Sequence, residues 1–161
     1  MSRIKLFLAS SEELAHERLV FSRIALELGA QLRERGMRID LVKWEYLDSS
    51  MGPLHKQEEY NLELATCDIV FVLFWRRFGD YTGEEFRMAM DGLRNRQCPR
   101  KVVVMFKKSG EAMDPGLASY RDALVPESGL EVMEFANDEE LCQKSKAVIL
   151  QEVSPHSARQ S

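Results

Sequence analysis

The sequence predicts an α/β protein, built as a doubly wound, mostly parallel five-stranded sheet with helices on both faces. Three observations carry that prediction. Short apolar runs alternate with helical patterns five times along the chain. The runs IKLFLA (4–9), DIVFVLF (68–74) and KVVVMF (101–106) are almost continuously hydrophobic, as expected of strands covered on both faces. The chain has 161 residues, 45% of them hydrophobic, enough for one sizeable core, and no internal repeat or low-complexity stretch interrupts it. One domain over 1–153 accounts for the pattern, with the polar residues 154–161 as a flexible tail or linker.

Ile4 to Ala9 forms the first strand and stops at Ser10-Ser11. Leu14, Leu19, Phe21, Ile24, Leu28 and Leu32 then recur at helical spacing, which predicts a helix from about Glu12 to Arg35. Ser10 or Ser11 suits its N-cap, Glu12 and Glu13 suit the positive end of its dipole, and Gly36 stops it. Ile39 to Trp44 is a second strand, and Glu45 to Leu54 a polar loop with the turn pair Gly52-Pro53. His55 to Thr66 reads as a helix with Tyr60, Leu62, Leu64 and Ala65 as buried candidates. Asp68 to Phe74, the most apolar stretch, is the central strand. A helix over Gly83 to Arg96 turns Phe86, Ala89, Met90 and Leu93 to one side. Lys101 to Phe106 is the fourth strand, Leu117 to Leu124 a short helix, and the alternating Leu130 to Phe135 an edge strand. Asn137 caps a last helix that runs to about Val153.

Composition narrows the function classes. A net charge of −4 argues against nucleic-acid binding, which favours clearly basic domains. No apolar run reaches the roughly 18 residues of a membrane helix, so no membrane partner is expected. Cys67, Cys98 and Cys142 are odd in number and widely spaced, which fits a reducing, cytoplasmic location. His16, His55 and His156 are scattered, no cysteine pair has zinc-ligand spacing, and no metal site is expected.

Ligands of such sheets bind beyond the carboxyl ends of the strands, where the strand order reverses. Three segments reach that region: Ser10-Ser11, Trp44 to Leu54, and Trp75 to Thr82. The first is neither G-x-G-x-x-G nor G-x-x-x-x-G-K-[ST], which excludes a standard dinucleotide or P-loop fingerprint. Ser10 and Ser11 either cap the helix or hold a ribose or phosphate at its N-terminus. Trp44 either packs in the core or stacks on a base or nicotinamide ring. In the third segment Arg76 and Arg77 are either solvated or meet a diphosphate, among the aromatic side chains of Trp75, Phe78 and Tyr81. Glu84 and Glu85 suit the first turn of a helix on electrostatic grounds alone. Adjacent helical positions lie about 100° apart, so the two carboxylates face differently, and Glu85 borders the face of Phe86 and Ala89.

The stretches KLFLASSEELAHER, LVKWEYLDSSMGPLHKQEEYN and DIVFVLFWRRFGDYTGEEF together resemble the TIR-like domains of bacterial anti-phage defence systems. These belong with TIR NAD hydrolases and, more distantly, nucleoside 2-deoxyribosyltransferases. The resemblance covers about Ile4 to Lys107 and implies a flavodoxin-like or TIR-like fold. In that group a glutamate near the start of the helix after the third strand precedes an apolar residue, with a small residue four positions on. Glu85-Phe86-Arg87-Met88-Ala89 has this pattern, whereas Glu84 does not, because Met88 is not small. The Trp-Cys pair found just before the glutamate in many TIR enzymes is replaced here by Tyr81-Thr82-Gly83. The resemblance implies an NAD⁺ glycohydrolase with Glu85 as its catalytic carboxylate, NAD⁺ as substrate and no bound cofactor. It also implies activation by self-association into oligomers or filaments, through a fused or separate sensor domain. The alternatives are a non-catalytic self-association module and a deoxyribosyltransferase-like enzyme.

Overall fold

The computed structural model describes residues 2–10, 12–43, 62–63, 65–77, 82–95, 98–108, 110, 112–125 and 127–160, and of residues 12, 43, 82–85 and 154–160 the backbone alone. Five strands, β1 (Ser2–Ser10), β2 (Met37–Lys43), β3 (Ile69–Phe74), β4 (Lys101–Lys107) and β5 (Leu130–Phe135), form one sheet in the order β2-β1-β3-β4-β5. Every neighbouring pair is parallel. The helices are α1 (Ala15–Arg33), α2 (Thr82–Arg94), α3 (Pro115–Ala123) and α4 (Asp138–Gln160), with a 3₁₀ turn over Glu12–Leu14 leading into α1. This is a flavodoxin-like, doubly wound α/β fold, all parallel where a mostly parallel sheet was expected.

The apolar runs are continuous because each face of the sheet has its own core. Alternate strand residues Ile4, Leu6, Leu8, Ile69, Phe71, Leu73, Val103 and Met105 pack under α1 and α4. The residues between them, Phe7, Ala9, Val70, Val72, Phe74, Val102, Val104 and Phe106, pack under α2 and α3. On the first face Phe21 meets Phe71 edge-on at 4.8 Å between ring centroids, and on the second Phe74 stacks on Phe106 at 5.4 Å. β3 is buried along its whole length, as befits the strand at the centre of the sheet.

Several local expectations need correction. Leu19 is 66% exposed, because α1 buries Glu17, Val20, Phe21, Ile24, Leu28 and Leu32, and Leu19 lies roughly half a turn from that stripe. Leu62 is 72% exposed and Ala65 is also exposed. The chain turns at Ala65-Thr66, with the Thr66 N–H donating back to the Glu63 carbonyl, and Cys67 is buried. Ser10 does not cap α1: the capping position is Leu14, without a side-chain cap, because the 3₁₀ turn intervenes. α4 continues to Gln160, past the expected end near Val153. Its start is as anticipated: the Glu140 N–H donates to Asn137 Oδ1 at 2.9 Å, and Glu140 Oε2 accepts from the Ala136 N–H. Gly36 closes α1 at φ +74°, a conformation glycine adopts without strain. The expected loop 45–54, and Tyr60 and Leu64 of the expected second helix, lie outside the described residues.

Candidate functional site

The chain leaves β1, crosses to the edge strand β2, and returns to β3 on the other side of β1. The switch point is therefore at the carboxyl ends of β1 and β3, where Ser10 pairs in register with Leu73. The 3₁₀ turn after β1 and the segment Trp75-Arg76-Arg77 after β3 converge there.

Glu13 joins them. Its side chain is 8% exposed, and both of its oxygens are used. Oε1 accepts from the backbone N–H of Arg76 at 3.0 Å and from Arg76 Nε at 3.3 Å. Oε2 accepts from the backbone N–H of Arg77 at 3.2 Å. One turn further along α1, Glu17 is buried and takes Lys107 Nζ at 3.4 Å, from the end of β4. Lys107 and the Arg76 guanidinium both lie over the Trp75 ring, at 4.2 Å and 4.3 Å from its centroid. Two carboxylates, two cations and one indole thus form a connected cluster at the switch point.

Among the residues expected in the site, Ser10 stands at the end of β1 with Oγ accepting from Arg18 Nη1 at 3.5 Å. Trp75 is half-buried, packed against the α1/α4 core and covered by the two cations. Arg77 is exposed at 71% of its side chain, with Glu13 4.0 Å from its Nε. Ser11, Trp44, Phe78 and Tyr81 lie outside the described residues. For Glu84 and Glu85 the backbone is described and lies in the first turn of α2. Phe86, Ala89 and Met90 are buried while Arg87 is exposed, which sets the side of α2 that meets the sheet.

Sequence reasoning missed Glu13, Glu17 and Lys107. Glu13 was explained by the helix dipole, which hid its second use. Glu17 carried a legible signal: it lies on the apolar stripe of α1, where a charge needs a partner. The partner, 90 positions away, was not legible.

His16, Glu17 and Asp138 bring ligand-type atoms within 4.8 Å of one another, with His16 Nε2 2.7 Å from Asp138 Oδ2. The Lys107 ammonium on Glu17 opposes a cation there, so the arrangement is that of an ion-pair network. A cavity of about 550 Å³ lies at the opposite end of the sheet, lined by residues that include Arg94, Arg100 and Glu127. Arg94 is paired with Glu127 at 2.9 Å and Arg100 with Asp68 at 3.4 Å. Burial pushes the Cys67 thiol up to about 12 and also raises that of Cys142, which suits neither to act as a thiolate nucleophile.

Fold and switch-point cluster define the class as a flavodoxin-like α/β protein. No family model matches the sequence, and no curated protein matches it. Among the described residues no helix is long and apolar enough to cross a membrane.

Proposed function

We propose that the protein is a TIR-like NAD⁺ glycohydrolase in which Glu85 is the catalytic carboxylate. The observation that supports this most is the position of the Glu-Phe-x-x-Ala pattern. It lies in the first turn of the helix that follows the central strand, with Phe86 and Ala89 turned into the core. Cleaving the bond between nicotinamide and ribose builds an oxocarbenium-like centre, as in glycoside hydrolysis. Nicotinamide leaves as a neutral molecule, so no general acid is required. A glutamate that hydrogen-bonds the ribose hydroxyls and faces the anomeric carbon stabilises the developing charge. Arg77, with its exposed guanidinium, suits the diphosphate, while Trp44, Phe78 and Tyr81 are the proposed aromatic walls for nicotinamide. Trp75 is a weaker candidate for stacking, since two cations already occupy its ring.

The test is release of free nicotinamide from NAD⁺ by the full chain, assayed over a wide protein concentration range with and without a crowding agent, alongside light scattering. Release that rises faster than protein concentration supports an effector activated by assembly. Activity strictly proportional to concentration removes assembly from the proposal. A panel of nucleosides in the same assay separates hydrolysis of NAD⁺ from deoxyribosyl transfer.

One observation favours a second reading, a non-catalytic self-association module. Leu19 and Leu26, 66% and 76% exposed, share the outward side of α1. Assembly without nicotinamide release, lost on Leu19→Ser or Leu26→Ser, is the outcome that selects it.

A further inference from the structure

We infer that Glu13 is a positioning residue for the site. From the turn before α1 it fixes Arg76 and Arg77, where the chain leaves the central strand ahead of the helix bearing Glu85. In its kinetic consequence this rests on the proposed role of Glu85, while its structural content stands independently. A glutamate that only complements a helix dipole can stay in solvent and touch nothing outside its own helix. Glu13 instead is nearly buried and accepts two successive backbone N–H groups from a segment 63 and 64 positions away. Those amides lie just beyond Phe74, where the ladder of β3 ends. Charged acceptors in a poorly solvated setting make stronger and more directional bonds than neutral ones.

The segment is also held from its other side. The Arg76 carbonyl accepts from the Asp114 N–H at 2.8 Å, just ahead of α3. Residue 76 therefore has its N–H fixed from the first loop and its carbonyl fixed from the loop after β4. The chain leaves this clamp at Arg77, and α2, which carries Glu85, begins at Thr82, so the clamp is the near anchor of the connection to that helix. A misplacement of about 1 Å in a catalytic group can cost on the order of 100-fold in rate.

Glu13→Ala and Glu13→Gln in the full chain test this, read by amide hydrogen exchange and by nicotinamide release. Glu13→Ala is expected to speed exchange of the Arg76 and Arg77 amides at least tenfold while Val70 to Leu73 stay protected. Its kcat should fall by about 10- to 100-fold, with a smaller change in KM. Glu13→Gln keeps one acceptor oxygen, and should fall between Glu13→Ala and the wild type on both readouts; it also serves if the alanine variant fails to fold. Unchanged exchange at residues 76 and 77, exchange raised equally along β3, or full kcat in Glu13→Ala overturns the inference. A wild-type chain that releases no nicotinamide in any state of assembly defeats the proposed activity instead, and the exchange measurements still decide whether Glu13 holds the segment.

Discussion

β1 and β3 are tied together by a carboxylate at each end, and the two ties differ. At the amino end Asp68 Oδ2 accepts from the Lys5 backbone N–H at 2.9 Å, and Oδ1 meets Arg100 at 3.4 Å. Its side chain is 24% exposed, and the Asp68 N–H and carbonyl are themselves bonded to Lys5, Arg100 and Lys101. That tie lies at the foot of β3, where backbone bonds of Asp68 itself already set the geometry. At the carboxyl end Glu13 is 8% exposed and holds the amides of Arg76 and Arg77, past the last residue of β3. The same chemical device stands beside the backbone ladder at one end and beyond it at the other. At the second end the Asp114 N–H on the Arg76 carbonyl is the backbone bond that accompanies it.

The sharpest break in that comparison comes from the chemistry itself. Glu85→Gln keeps shape and removes charge, and should lower nicotinamide release by about 100-fold or more with an unchanged melt. Glu84→Gln should cost far less. Equal losses in both, or full activity in Glu85→Gln, would reject the assignment.

Stability should be asymmetric in the same direction. Glu17→Ala leaves Lys107 half-buried without its partner, and should cost about 2–3 kcal/mol in chemical denaturation, less than a fully enclosed pair because Lys107 keeps 22% exposure. Asp68→Asn preserves an oxygen for the Lys5 N–H, so a loss of about 1 kcal/mol and an unchanged kcat are expected. A kcat loss in Asp68→Asn comparable to that of Glu13→Ala would erase the distinction between the two ends.

The smallest effect lies on the surface, where Lys146 bonds Glu27 at 2.9 Å and, first through that bond and then through its charge, lowers the Glu27 pKa. A carboxylate with a lowered folded pKa adds stability above its unfolded value and loses it as pH falls through the folded value. The melting difference between wild type and Lys146→Met should therefore be small at neutral pH and vanish in acid. A difference that grows on acidification contradicts this.

How much was readable in the sequence follows from the range of the interaction concerned. β3 and β4 were read within one residue at an end, because burial on both faces leaves an unbroken apolar run, and β5 was read residue for residue from its edge-strand alternation. Leu19 was misread because helical spacing is degenerate until the opposite face is known, and the charged Glu17 concealed the true stripe. The proposed role of Glu85 was reached through a local pattern of five residues. Glu13 on Arg76 and Glu17 on Lys107 were not, since each pairs groups more than 60 positions apart and nothing in either segment names the other.

The packing of α1 against α4 has a consequence for how the chain folds. The layer beneath them draws residues from Ile4 to Val153, and Glu27–Lys146 and His16–Asp138 join its first helix to its last. The other layer ends at Leu130, before α4 begins. A chain still growing on the ribosome can thus close one side of its sheet while the other is covered by α1 alone and awaits a helix not yet made. Completion of that second layer depends on contacts of high sequence separation, the kind that slows folding.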